Sequence, residues 1–583
     1  MCAWNFPGGI YLVDFEFHPA GGREGNPPVP VCMVVRQWPS GDTSRYGQAE
    51  LRAMPTAPFP TGKDALFVAY FASAEMDCFA ALGWEYPANL LDLFAEFRWL
   101  TNGLRPPHGN GLLGALLYFK LPSLGGEAKD AMRDLVLTGG PWSGAEQLAI
   151  LDYCESDVVS LAHLLNKMQS QIDLPRALLR GRYMQSVSKM QTNGIPIDVE
   201  ILTLLAANWN AIQDDLIIEV DRDYGVYTGR SFKVEHWETY LIANQIPWPR
   251  LPSGKLDLSD DTFRQMARTY NQVAPIRELR ASLSEMRLSN LYVGEDGRNR
   301  CLLSPFRAST GRNQPSNSKF IFGPSVWLRG LIRPKAGWGL AYVDWSQQEF
   351  GIAGALSQDP AMMQAYRSGD PYLEFAVQAG AVPRGATKDT HKDQREQFKQ
   401  CVLAVQYGMG EASLAARINQ PVARARQLLE LHKRTYKQFW KWSDSAVDEA
   451  VLGERLWTVF GWQIHATGEI NDRSLRNFPV QATGADMLRI ACVLLTDAGI
   501  RVCAPVHDAL LIEAPLEELN AAVATTQALM KKASAIVLAG FELRSDVNTV
   551  CYPQRYMDER GLQMWNKVMP LIGQPEYVGA EDD

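Results

Sequence analysis

The feature that most constrains this chain is a carboxylate placed where a buried strand should meet a helix. In Ala341-Tyr-Val-Asp-Trp-Ser-Gln-Gln-Glu-Phe350 an apolar run ends in Asp344, a polar turn follows, and Glu349 opens a helical pattern that continues from Ile352 to Leu356. Burying a charge there is costly unless it is paired or holds a metal. An aspartate capping a helix, with a glutamate in the first turn, is the structural alternative. A second isolated carboxylate recurs about 160 residues later. Val506-His-Asp-Ala-Leu-Leu-Ile-Glu513 reads as a hairpin, with strands Val502 to Val506 and Ala509 to Glu513 and Asp508 at the turn.

The 583 residues favour several domains, and a hydrophobic content of 46% can fill large cores. The longest apolar stretches, such as Leu112 to Phe119, fall far short of the ~20 residues that span a bilayer. No basic-then-apolar leader opens the chain, and nine cysteines are scattered without a CxxC pair. These features predict a cytoplasmic protein with neither a disulfide scaffold nor a zinc site. The net charge of −8 argues against a nucleic-acid partner only if charge is spread evenly. It is not: arginines 264, 268, 277, 280, 287, 298, 300, 307 and 312 crowd one stretch, and Arg417 to Lys441 forms a second. A basic groove on an acidic body is the expectation.

Residues 1–172 read as an α/β unit. Ile10 to Phe17 and Val29 to Arg36 are expected to pair as strands, and Leu66 to Phe71 forms another strand. Helices are expected from Ala74, from Asn89 and over Ala145 to Met168. Helix-rich sequence runs to about residue 300. Strands and loops follow to 345, helices over 352–452, and strands around a helix over 455–515. A helix is expected over Thr387 to Tyr407, capped by Thr387 or Asp389 and ended by Gly408. Along it Arg395, Lys399, Leu403 and Tyr407 recur every four residues as one stripe, suited to a polyphosphate and a stacked base. In the first strand, Asp14 and Glu16 share a face and repel each other unless a cation lies between them. Tyr153 and Asp157 share a face of the long helix.

In this order, Asp14-Phe-Glu16, a carboxylate after a middle strand and Tyr153-xxx-Asp157 resemble the tyrosine subclass of DEDD-type 3′–5′ exonucleases. The third acid of that family aligns with Glu75 in Val68-Ala-Tyr-Phe-Ala-Ser-Ala-Glu75, with Asp77 as the alternative; Phe71 stands where the family has asparagine. Asp344-Trp-Ser-Gln-Gln-Glu349, Arg395-xxx-Lys399-xxxxxxx-Tyr407-Gly408 and Val506-His507-Asp508 resemble motifs A, B and C of the family A DNA polymerases. Thr310-Gly-Arg312 and Arg473-xxx-Asn477-xxx-Gln481-Ala-Thr-Gly-Ala-Asp486 resemble its segments that track the primer-template minor groove.

The resemblance implies an α/β multidomain fold: a ribonuclease H-like 3′–5′ exonuclease domain over 1–172, then a right-hand polymerase domain over 173–583. The thumb would occupy about 199–300, the palm about 301–352 and 460–583, and the fingers about 353–459, in a Klenow-type arrangement without a 5′-nuclease domain. It implies two Mg²⁺ ions per active site, replaceable by Mn²⁺, held by Asp344 and Asp508 for polymerisation and by Asp14, Glu16, Glu75 and Asp157 for proofreading. Tyr153 would orient the attacking water. Arg395, Lys399, Leu403, Tyr407, Gln347 and Tyr372 would meet the incoming dNTP, with Lys399 catalytic and Glu349 the steric gate. Arg312, Arg473, Asn477, Gln481 and His507 would contact DNA. The implied partners are primer-template DNA and dNTPs, for a monomer encoded by a bacterium, phage or plasmid. The chain departs from the family at Leu403 (Phe or Tyr), Ala509 (Glu) and Asp370-Pro-Tyr372 (Asp-x-His).

Overall fold

The computed structural model describes residues 4–123, 126–285, 291–323, 325–406, 408–467 and 472–577, with the side chains of 126–128, 268, 269, 281, 284 and 285 left out. The chain divides into two compact units. One comprises residues 1–194, 302–314 and 340–549, and the other residues 195–301, 315–339 and 550–583.

The first unit holds two sheets. Thr43–Gly47, Pro28–Trp38, Gly9–Pro19, Ala65–Ala69 and Leu90–Asp92 form a five-stranded sheet in that spatial order. The first three strands are antiparallel, and the last two join Gly9–Pro19 in parallel. One apolar face, with Leu12, Val34, Leu66 and Val68, is covered by the Gly144–Met168 helix through Ile150, Cys154, Val158 and Leu161. Ser143 caps that helix in a reciprocal box with Glu146, which fixes its start. The helix expected from Asn89 begins instead at Leu93. Leu90–Asp92 pairs as the edge strand, and Asp92 turns it into the helix by accepting from the Phe94 amide.

The second sheet runs Val502–Val506, Ala509–Pro515, Trp338–Trp345, Ser545–Cys551. Behind it lies the Asp472–Asp497 helix, buried along most of its length. Among the described helices it alone is long and apolar enough to cross a membrane, and 89% of that window is buried inside the protein. The Pro360–Arg367 and Lys437–Gly453 helices are tied by Asp359. It caps Pro360–Arg367 and also accepts from the Gln438 and Phe439 amides, both at 3.1 Å. The helix expected from Thr387 starts at Lys392, because Thr387 and Thr390 close a local hydroxyl-bonded turn before it.

Within this unit the N-terminal α/β part is bonded to the segments around the second sheet. Asn102 Nδ2 donates to the Ser309 and Gln463 carbonyls, both at 2.6 Å. Arg98 donates to the Phe306 and Arg307 carbonyls at 3.1 and 2.9 Å, and Trp99 Nε1 to the Gly461 carbonyl at 2.6 Å. Arg180 and Glu96 form a buried bidentate pair at 2.6 and 2.7 Å. The Leu174–Asn193 helix crosses the Leu90 strand so closely that a Cβ on Gly181 would lie 1.8 Å from the Leu90 carbonyl oxygen.

The second unit has the Val199–Asp221 helix and an aromatic core of Trp237, Trp248 and Phe263. Arg280 lies over the Phe232 and Phe263 rings at 4.3 and 4.5 Å. Of the expected basic stretch, Arg264 pairs with Asp260 and Asp261, and Arg300 with Asp296. With Arg280 used in packing, these three serve the fold as much as any polyanion. The eight described cysteines are all free.

Two substitutions test this packing. Gly181→Ala should destabilise the protein by ~1–3 kcal/mol or more, because the backbone contact cannot relax. Asn102→Ala should cost ~1–3 kcal/mol, since it removes the amide that donates to the buried Gln463 carbonyl and leaves Ser309 held by Trp462 Nε1 alone. Urea unfolding with a far-ultraviolet readout measures both, and an unchanged midpoint in either would contradict the packing described.

Candidate active site

Asp344 lies near the end of the Trp338–Trp345 strand, and Gln347 turns the chain into the Gln348–Ser357 helix with φ +49°. His507, with φ +57°, makes the turn that carries Asp508 between the two hairpin strands. Positive φ at a residue other than glycine costs about 1 kcal/mol or more, and both residues that bear it line the same cavity. The central strand and the hairpin bring Asp344 and Asp508 into electrostatic contact. Burial, then Asp508, then Asp546 push Asp344 up to about 7. Burial also raises Asp508, against the pull of Arg312 and His507. Asp344 Oδ1 is buried without a hydrogen-bond partner. A carboxylate pair with an orphaned oxygen suits a divalent cation bound by oxygen ligands.

A cavity of about 400 Å³ opens beside these acids, lined by Arg312, Gln347, Gln348, Glu349, Phe350, Tyr372, Leu403, Gln406, His507 and Asp508. The expected dNTP-contacting residues Gln347, Glu349, Tyr372 and Leu403 therefore share one space with two expected DNA-contacting residues, Arg312 and His507. Glu349 is fixed by Arg312, whose Nη2 donates to Oε1 at 3.3 Å. Burial raises the Glu349 carboxyl and Arg312 opposes that rise. Arg395 is ion-paired with Asp370 and stands 5.6 Å from the Tyr372 ring centre. Lys399 is loosely paired with Glu396 at 3.7 Å and is 37% exposed. Tyr407 lies outside the described residues. Asn477 and Gln481 line a smaller space of about 40 Å³ that reaches Glu349 and Gln406. A Cβ on Gly408 would lie 2.5 Å from Arg473 Cγ, which brings Arg473 against the end of the Lys392–Gln406 helix.

Asp546 has no motif around it, yet it lies near Asp344 and accepts from Ser346 Oγ at 2.7 Å. It reaches the site because Ser545–Cys551 pairs beside the central strand, a long-range contact that local sequence does not announce. Ala509 is fully buried, so the position where the resemblance expects a glutamate carries no charge into the site.

A second carboxylate cluster sits on the five-stranded sheet. Oxygens of Asp14 and Glu16 and the Cys154 sulfur lie within 4.8 Å of one another. The Cys154 thiol donates to Asp14 Oδ2 at 3.4 Å. Burial and Asp157 push Asp14 up to about 8, and burial and Asp14 push Glu16 up to about 10. Glu75 is buried, raised well above the ordinary carboxylate range by burial and then by Asp14, and its Oε2 has no partner. Asp77 faces elsewhere, accepting from Ser188 Oγ at 2.5 Å and Gln191 Nε2 at 3.0 Å. The Tyr153 hydroxyl is raised by burial and then by the charge of Asp157. Two contributors carry no motif. Asp92 holds the Phe71 and Ala72 amides at 2.9 and 3.2 Å and so fixes the turn before Glu75. Lys129 Nζ donates to Asp157 Oδ1 at 2.6 Å.

Comparison with known proteins agrees with the second sheet and its surroundings. Residues 317–550 match the family model for DNA polymerase family A. DNA polymerase I of Aquifex aeolicus is 25% identical over 433 residues, covering 67% of this chain and 73% of that protein. DNA polymerase I of Deinococcus radiodurans is 25% identical over 408 residues, covering 63% and 41%. The thermostable DNA polymerase I of Thermus thermophilus is 27% identical over 377 residues, covering 60% and 44%. The chain thus spans less than half the length of the last two relatives. Among solved structures, the POL domain of Pol1 from M. smegmatis, in complex with DNA primer-template and dNTP, superposes with a TM-score of 0.70. It is 18% identical and covers 94% of this chain and 96% of that one. This likeness concerns the fold. The chain is an α/β multidomain protein that carries a DNA polymerase family A domain over residues 317–550.

Proposed function

We propose that the chain is a template-directed DNA polymerase that extends a primer 3′ end with dNTPs. The observation that carries this reading is the 400 Å³ cavity where Asp508, Gln347, Glu349, Arg312, Tyr372 and Leu403 converge beside Asp344. Asp344 and Asp508 would hold two Mg²⁺ ions. Bound there, the ions supply Lewis-acid charge for primer-oxygen attack and for the leaving pyrophosphate. The protein's remaining work is positioning and electrostatics. Arg395 exchanges Asp370 for a triphosphate oxygen, and Lys399, with only a loose partner, meets the α-phosphate side. Tyr372 offers a hydroxyl there and Tyr407 a stacking face. Leu403 packs on the sugar, while Glu349, braced by Arg312, fills the space a ribose 2′-hydroxyl would need. Arg312, Asn477, Gln481, Arg473 and His507 meet the primer-template, whose minor-groove acceptors are shared by all base pairs.

A second activity, 3′–5′ proofreading hydrolysis, is supported by the other cluster. The order of its five strands, three antiparallel and two parallel, is what a ribonuclease H-like reading requires. Asp14, Glu16, Glu75 and Asp157 would hold its metal pair, and Tyr153 would orient the water. Glu75 is preferred over Asp77 because the Asp77 carboxylate is already occupied by Ser188 and Gln191.

Primer extension on a labelled primer-template tests the first activity. Asp344→Ala and Asp508→Ala should each lower extension by ~10²- to 10³-fold or more. Extension at the parental rate would overturn the assignment. Glu349→Ala should raise NTP incorporation relative to dNTP by ~10-fold or more, the scale of discrimination a steric pocket supplies. A parent that uses NTPs as readily as dNTPs would instead indicate an RNA polymerase. For the second activity, Asp14→Ala should abolish 3′-end shortening and leave extension intact.

A further inference from the structure

The exonuclease-like cluster already contains a cation. Lys129 sits on the Gly126–Leu137 helix, which packs against the first strand and the Gly144–Met168 helix. Its ammonium donates to Asp157 Oδ1 at 2.6 Å and lies 5.8 Å from the centre of the Tyr153 ring. The pair is enclosed, with side-chain exposures of 15% for Lys129 and 12% for Asp157. Its field reaches Asp14 and Glu16, opposing the rise that burial imposes on both. One lysine thus bonds one of the four carboxylates expected to hold metal, acts on two more through its charge, and stands beside the tyrosine expected to orient water. An ammonium and a divalent ion compete for the same oxygens, and in an enclosed site their repulsion is only weakly screened.

We infer that Lys129 is the resident cation of the Asp14–Glu16–Asp157 cluster, and that a divalent metal binds there only as the ammonium withdraws. The inference rests on the exonuclease reading above and adds to it a control: an internal cation holds the site in a metal-poor state. The helix that carries Lys129 is anchored further along. Val136 is buried in the sheet core, and Trp142 Nε1 donates to the Leu135 carbonyl at 3.1 Å. The exchange is therefore a movement of the lysine side chain, whose flexible four-carbon stem can carry the ammonium outward to solvent. Asp157, left by the ammonium, then becomes available as a metal ligand.

The test is Mn²⁺ binding by the full chain, read from the electron paramagnetic resonance of free Mn²⁺. The background is Asp344→Ala/Asp508→Ala, which silences the other carboxylate site. In that background Lys129→Met should bind Mn²⁺ at least ~10-fold more tightly than the lysine form, because one charge has left the cluster. Lys129→Arg, which keeps the charge, should retain the weak affinity and so separate charge from loosened packing. Equal affinity with Lys and Met at 129 would overturn the exchange while leaving the exonuclease reading in place. Mn²⁺ binding by the Lys129→Met form that Asp14→Ala does not reduce would overturn both.

Discussion

Repulsion between buried carboxylates is the constraint around which both sites are built. Asp344, Asp508 and Asp546 meet where two sheet turns converge, and Asp14, Glu16, Glu75 and Asp157 meet on one face of the other sheet. Each fold spends stability to hold these charges close, and each relieves the repulsion differently. Beside Asp508 and Glu349 stands Arg312, a cation at the edge of a cavity large enough for a substrate. In the other cluster Lys129 bonds the Asp157 carboxylate itself. The first arrangement leaves Asp344 with an unpartnered oxygen, and the second leaves Glu75 with one.

The scaffold keeps these groups in place through contacts far apart in sequence. Arg98, Trp99 and Asn102, on or just after one helix of the α/β part, hold the Phe306–Ser309 backbone and the Gly461–Gln463 turn. Arg489 donates to the Gly311 carbonyl at 2.7 Å, so the segment leading into Arg312 is held from two sides. Arg312 then fixes Glu349. Hydrogen bonds from the Leu93–Thr101 helix and Asn102 thus hold the backbone that leads, through Gly311, to Arg312 and the proposed sugar gate. Loss of one of these bonds is expected to be felt as misplacement of Arg312.

The sequence is legible where short spacings bring side chains together. Asp14 and Glu16 alternate on a strand, Tyr153 and Asp157 are one helical turn apart, and Asp344 and Asp508 each end an apolar run. Those spacings place side chains on a common face, and the structure brings them to common sites. It is illegible where partners come from elsewhere. Asp546 and Lys129 look like ordinary polar residues until pairing of the last strand and packing of the Gly126–Leu137 helix deliver them. Element boundaries failed for a local reason. Leu90–Asp92 continues an apolar helical pattern, yet parallel pairing with Phe67–Ala69 claims it, and the Asp92 carboxylate ends the strand. At Thr387 the hydroxyl bonds of a turn compete with helix formation until Lys392. Within the basic stretch, Arg264, Arg280 and Arg300 find acids and rings inside the fold, partners that the run of arginines alone does not announce.

If carboxylate repulsion is what prepares the family A site, a divalent ion should stabilise the folded chain by binding it in preference to the unfolded one. Thermal unfolding across a Mn²⁺ titration measures this most directly. The midpoint should climb with Mn²⁺ concentration, with most of the climb lost in Asp344→Ala/Asp508→Ala. A midpoint that stays flat with Mn²⁺, or climbs equally in that variant, would contradict that expectation.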